Sequence, residues 1–113
     1  MKNQYVADVG DYGKYSLLRA FSDADVKVGV NWYLTEDDTS SDGKFTSYLK
    51  NDSMRIYQPE IFDILKDIAF KERKSVDDIQ KSGILPGAAF YDKKIDVTGT
   101  PKERIQKRCQ WFE

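Results

Sequence analysis

Residues 26–35, "VKVGVNWYLT", decide the fold class. Val26, Val28, Val30, Trp32 and Leu34 alternate on one side of an extended chain, and Gly29 and Tyr33 leave the other side partly apolar. β-branched and aromatic residues at period two describe a strand covered on at least one face, so a strand over 26–35 is expected. Upstream, 11–21 reads as a helix. Asp11 is placed to cap its first amides, and Tyr15, Leu17, Leu18 and Phe21 share an apolar face.

Downstream of the strand, "TEDDTSSDGK" is a polar loop, and "FTSYL" reads as a short helix with Ser41 or Asp42 as its cap. "QPEIFDILKDIAF" carries Pro59 at a first helical position, with Ile61, Phe62, Leu65, Ile68 and Ala69 on one face. Ser75, Asp78 and Gly83 supply cap, capping-box acid and left-handed stop for another short helix. Ala88–Tyr91 reads as a second strand, with "DKKIDV" as a turn or edge extension. Thr100, Pro101 and Glu103 then open a last helix in the order of cap, first-position proline and capping-box acid. The order of elements gives a small helix-rich α/β domain on a short sheet, and two parallel strands are few to stand alone. The expectation is one domain over 1–113 that forms the amino-terminal part of a Rossmann-like fold and is a fragment of a longer protein.

Composition narrows the chemistry. Hydrophobic residues make up 40% of the chain, enough for one core. With 18 Lys and Arg against 19 Asp and Glu, the formal charge is -1, and nucleic acid or anionic lipid would have to be met by a local patch. The single cysteine, Cys109, forms no intramolecular disulfide, and no apolar run approaches the roughly 18 residues of a membrane span. A cytoplasmic setting without a membrane partner is the expectation. Histidine is absent, which removes Ser-His-Asp and Cys-His hydrolysis, His-ligated zinc and imidazole acid–base catalysis. Carboxylates, Lys, Tyr, backbone amides or a hard metal remain.

"GDYGKY", residues 10–15, offers one candidate ligand edge. With Asp11 as cap, Gly13 bares the first-turn amides and Lys14 adds positive charge where the helix dipole favours an anion such as phosphate. The alternative is structural: Gly10 permits a tight entry, Gly13 a close approach, and Tyr12 and Tyr15 pack in the core or at its rim. Asp37, Asp38 and Lys44 lie after the strand, at the edge where open α/β sheets bind ligands, or else are solvated loop charges. Lys14 and Asp38 are expected on the same side of the domain. Asp38, Ser40, Asp42 and Gly43 match the first half of an EF-hand loop, but Leu49 stands where the bidentate Glu belongs, so no metal site is expected. Lys102, Arg104, Lys107 and Arg108 make the last helix basic, a strip able to touch nucleic-acid phosphates or simply a solvated face. Ile105, Cys109 and Phe112 line that helix beside Trp111, which predicts a homo-oligomer through the last helix or docking of its rings on the core.

"KNQYVADVGDYGKYSLLRAF", with "VGVNWYLTEDD" and "SDGKFTSYL", resembles the start of an uncharacterised family of bacterial and phage proteins that opens with Lys-Asn-Gln-Tyr and Asp-Tyr-x-Lys-Tyr. Members of that family are typically longer and carry a later Asp-Pro-Asp-Asn-Gly type motif, which this sequence lacks. More distantly, Asp11, Lys14 and Tyr15 are similar in spacing to the Asp-x-x-Lys-His signature of certain ribosomal RNA adenine methyltransferases, with Tyr15 in the place of His. That likeness implies part of a nucleotide- or nucleic-acid-acting enzyme, with Asp11, Lys14 and Tyr15 on one wall of a cleft and Asp37, Asp38 and Lys44 on the other. The alternative is a non-catalytic binding or oligomerisation module. The glycine-rich turn for S-adenosylmethionine and the Asp/Asn-Pro-Pro-Tyr strand end are both missing, so no cofactor is assigned.

Overall fold

A computed structural model describes residues 1–40 and 44–113. Ser41, Asp42 and Gly43, and with them the expected cap and half of the calcium-loop pattern, lie outside the described residues. The described chain is mixed α/β, with four α-helices and a two-stranded parallel sheet. Helix α1 is Val9–Asp23, strand β1 Gly29–Asn31, helix α2 Pro59–Ala69, helix α3 Val76–Lys81, strand β2 Ala89–Tyr91 and helix α4 Pro101–Phe112. Among the described residues, no helix is long and apolar enough to cross a membrane.

Helix α1 begins two residues earlier than its sequence suggests, because Asp8 rather than Asp11 is its cap. The Asp8 carboxylate accepts the N–H of Gly10 at 3.3 Å and that of Phe45 at 2.8 Å. The buried stripe also differs: Tyr12 and Tyr15 enter the core and Leu18 packs at its edge, whereas Leu17 and Phe21 face solvent. Spacing of three residues from Tyr12 to Tyr15 to Leu18 selects that face. Tyr12 meets Phe62 of α2 edge-on at 5.8 Å and stacks with Tyr48 at 6.0 Å. Around these rings Val6, Leu49, Ile61, Leu65, Ile79 and Ile84 are fully buried, each worth roughly 1.5–3 kcal/mol when taken from water.

The strand expected over 26–35 is regular only across Gly29–Asn31. At its start, Asp25 adopts a left-handed φ of 64° and the Val26 N–H returns to the Phe21 carbonyl, so Val26 belongs to the helix termination. At its end, Tyr33 has a φ of 47° and donates its N–H to Asn31 Oδ1, which interrupts the pleat. The alternation survives this break, since Trp32 and Leu34 are buried while Asn31 and Tyr33 are exposed. Val30 pairs with Phe90 in parallel register, and the link from β1 to β2 carries α2 and α3 across.

Past β1, the Leu34 carbonyl accepts the N–H of Ile95 at 2.7 Å, while the Thr35 N–H reaches the Met1 carbonyl at 2.8 Å. These two groups belong to one trans peptide and point in opposite directions. The "DKKIDV" stretch, expected as a turn or an edge extension, forms no regular strand but lies along one edge through the Ile95 bond, and the amino-terminal segment lies along the other through the Lys2–Thr35 bridge.

Helix α4 has the expected opening, with Thr100 Oγ1 accepting the Glu103 N–H at 3.2 Å. It is held chiefly by Trp111, which is buried among Tyr33, Tyr91 and Phe112 and donates its indole N–H to the Lys93 carbonyl at 2.6 Å. Of the two rings expected to dock, Trp111 does so, and Phe112 stays exposed with Ile105 and Cys109.

Candidate ligand site at the start of helix α1

Asp11 is the only carboxylate side chain buried among the described residues, at 4% exposure. Its Oδ2 accepts the N–H of Ala7 at 2.9 Å, and its Oδ1 lies 3.7 Å from Lys14 Nζ. Burial pushes its carboxyl up to about 6, against the Ala7 hydrogen bond and Lys14, with Asp8 adding to the rise and Lys74 opposing it. Such a group exchanges its proton near neutrality. Tyr15, buried beside it, has its hydroxyl pushed well above the usual phenol range by burial and by Asp11, so it stays protonated.

The first amides of α1 are not open to an anion. Val9 N–H donates to the Phe45 carbonyl, Gly10 N–H to Asp8 Oδ1, and Asp11 N–H to the Asp8 carbonyl. With Asp8 and Asp11 both adding negative charge there, the helix start does not offer the phosphate cradle that Gly13 and Lys14 suggest in sequence. Gly13 instead lies in the second turn, where a Cβ would meet nothing within 4 Å, beside an open groove with Val9, Tyr12 and Tyr57. Close packing does not explain it either.

The loop after β1 is fixed by a residue that the sequence did not single out. Gln4 is buried, its backbone N–H donates to Asp37 Oδ1 at 3.0 Å, and its side chain exchanges two hydrogen bonds with Asp38 at 2.9 and 2.8 Å. Hydrogen bonds from Gln4 and Ser40 hold the Asp38 carboxyl down at about 2. Lys2 adds an ion pair to Asp38 at 3.7 Å. The same amino-terminal segment places Met1 at a cavity it lines with Asp11, Lys14, Asn31 and Trp32, and its amine donates to the Tyr33 carbonyl at 3.0 Å.

Lys74, also unmarked in sequence, completes the charge pattern. It is half-buried in a groove of about 600 Å³ with Asn3, Gln4, Asp37 and Arg73. Burial lowers its amine against the pull of Asp8 and Asp11, and Lys44 lowers it further. Lys44 itself is exposed, and its neighbour Phe45 supplies the backbone contacts to Asp8 and Val9. Only the field of Asp8, Asp11, Asp37 and Lys44 meeting at Lys74 reveals these groups as neighbours; no linear motif joins them.

Beside Asp11 lies a cavity of about 180 Å³ lined by Met1, Lys14, Tyr15, Val30, Asn31 and Trp32 among others. Trp32 stacks flat on Phe90 at 5.9 Å, and its Nε1 is buried with no hydrogen-bond partner among the described residues. The basic strip of α4 is separate from this site and partly engaged: Lys107 pairs with Asp96 at 2.9 Å, Arg104 donates to the Gly99 carbonyl at 2.9 Å, and Lys102 and Arg108 are exposed. Among the described residues no group of three or more acids, Cys or His converges as a metal would require. No family model, curated protein or solved structure matches the chain.

Proposed function

We propose that this domain is the amino-terminal part of a Rossmann-like, cytoplasmic enzyme acting on a nucleotide or nucleic acid, with Asp11 as its proton-transfer residue. The carrying observation is Asp11 itself, a buried carboxyl with Lys14 beside it and the field of Lys74 across it, near the carboxyl end of β1. A group poised between protonation states can give a proton to a ligand atom or take one, and Lys14 stabilises the ionised form after donation. Tyr15 is buried beside it and stays protonated. The residues present do not fit S-adenosylmethionine in the manner of the methyltransferases: no glycine-rich turn follows β1, and Asp37 and Asp38 are engaged by Gln4. A thermal-shift titration with nucleoside monophosphates and short RNA tests this reading. Stabilisation that Asp11→Asn and Lys14→Met both remove supports it, and no stabilisation by any of them counts against it.

One observation favours a second reading, a non-catalytic module that associates through α4. Ile105 and Phe112 are 60% and 61% exposed on the same helix, beside the Trp111 anchor. Sedimentation would then show a dimer that Phe112→Ser dissociates while leaving the fold intact. Lys102 and Arg108 remain available on that helix for a phosphate-bearing partner.

A further inference from the structure

Gly13 costs the fold stability that no contact in the fold recovers. It lies in the second turn of the 15-residue helix α1, where glycine is less favourable than any residue except proline. Its backbone is not left-handed, and a Cβ there would meet nothing within 4 Å, so neither conformation nor packing requires the missing side chain. The space it leaves open is a groove of about 480 Å³, lined also by Val9, Tyr12, Ser16, Met54 and Tyr57. None of the described residues that line it is charged. Its inner polar atoms are engaged: Tyr12 Oη donates to the Met54 carbonyl at 2.7 Å and accepts the Gln58 N–H at 2.9 Å, and Ser16 Oγ donates to the Tyr12 carbonyl at 2.6 Å. Arg55, next to Met54 in the chain, is closed on Asp63 by two bonds of 2.9 and 2.8 Å. The groove that holds Lys74, by contrast, carries Asp37, Glu72 and Arg73.

We propose that the groove at Gly13 binds a small uncharged aromatic molecule, and that Gly13 is bare so that the ring lies against the α1 backbone. A charged occupant would lose hydration here and find no counter-charge on the wall, which selects a neutral one. The volume, about 480 Å³, falls within the roughly 300–1,000 Å³ of small-ligand pockets. A protein partner needs about 800 Å² of surface on each side, and here the apolar surface is interrupted by exposed Asp52, Arg55 and Asp63. Tyr57, 71% exposed, offers a ring and Met54 a thioether, both of which favour an aromatic over an aliphatic occupant. Gln58, whose side chain makes no cap bond to α2, supplies a donor and an acceptor for one polar edge of that ring. The proposal is independent of proton transfer at Asp11.

Because nothing packs on Gly13, filling the groove separates ligand binding from folding. The chain is titrated with indole, with adenosine and with cyclohexanol while the Gly13 and Tyr57 amide resonances are followed by NMR. The expected result is a saturable movement with indole or adenosine and none with cyclohexanol at the same concentrations. In Gly13→Leu the new side chain leans back toward Val9 and over the groove, so binding read at Tyr57 weakens about tenfold or more. The same variant raises the folding equilibrium in urea about fivefold, since it removes a helical glycine. Tyr57→Ser, at an exposed position, weakens binding and leaves the urea midpoint unchanged. Failure of both rings to bind, equal binding of cyclohexanol, or unchanged binding in Gly13→Leu overturns the site, and a less stable Gly13→Leu makes the glycine structural and does the same. Resonances that move with protein concentration alone, together with a dimer in sedimentation, assign the groove to a second copy and also overturn it. Indole binding without adenosine retains the site and excludes a nucleobase as its occupant.

Discussion

Ala7 donates its N–H to Asp11 Oδ2 at 2.9 Å from a left-handed backbone, φ 67°, that a residue with a Cβ rarely adopts. The bond and the conformation depend on each other, because both residues are buried and the Ala7 N–H would otherwise lack an acceptor. Asp11→Ala is expected to destabilise the fold by about 1–3 kcal/mol, and Asp11→Asn, which keeps an acceptor oxygen, by distinctly less at pH 5. Urea unfolding of the two variants checks the order.

The raised carboxyl of Asp11 also sets a pH dependence. A folded-state value of about 6 against the ordinary 3.8 means that the folded chain holds this proton more tightly than the unfolded chain. The corresponding stability is fully present below pH 3.8 and is lost as pH rises through 6, on the order of 3 kcal/mol in all. Asp38, Asp63, Asp78 and Asp96 shift downward and act in the opposite sense at lower pH, but they are common to wild type and variant. The stability of Asp11→Asn relative to wild type should therefore improve between pH 4 and 8 by roughly that amount. A difference that does not change over this range would exclude the raised value.

Trp111 anchors an otherwise exposed helix, so its loss should detach α4 without unfolding the rest. Trp111→Ala is expected to cost about 3–5 kcal/mol of the anchoring and to abolish amide protection over Pro101–Phe112, while α2 keeps its protection. Trp111→Phe, which loses only the 2.6 Å bond to the Lys93 carbonyl and part of the ring, should fall between. Hydrogen exchange resolved by segment distinguishes detachment from global loss.

Gln4 couples the amino-terminal turn to the loop after β1 through three hydrogen bonds. Gln4→Leu removes the two made by the side chain, leaving Asp38 without its main partner, so the Asp38 carboxyl should titrate closer to its ordinary value, 3.8 rather than about 2. Carbon-13 NMR of Asp38 in the variant reads this directly.

Local chemistry made much of the fold legible. Pro59, Thr100 with Pro101, the Ser75 to Asp78 spacing and the left-handed Gly83 mark element ends that the structure repeats, because each acts within one turn of its own backbone. The start of α1 is not legible locally, since two aspartates, Asp8 and Asp11, sit one turn apart and the Asp8 carboxylate is fixed by the N–H of Phe45, far away in sequence. The strand is shorter than its residue types suggest, because Val26 and Tyr33 are β-forming by type while hydrogen bonds to Phe21 and Asn31 claim their amides. In the candidate site, Asp11, Lys14 and Tyr15 share one helix and were visible together, whereas Gln4 and Lys74 enter only through tertiary contact and carry no local signal.

Asp11 is a buried carboxyl poised near neutrality in the field of two lysines, Lys14 and Lys74. Its carbon-13 resonance, followed against pH in wild type and in Lys14→Met, tests that claim most directly. The expected midpoint is about 6 in wild type and higher in the variant, which lacks one of the cations that favour the ionised form. A wild-type midpoint near the ordinary 3.8, unmoved by Lys14→Met, would contradict it.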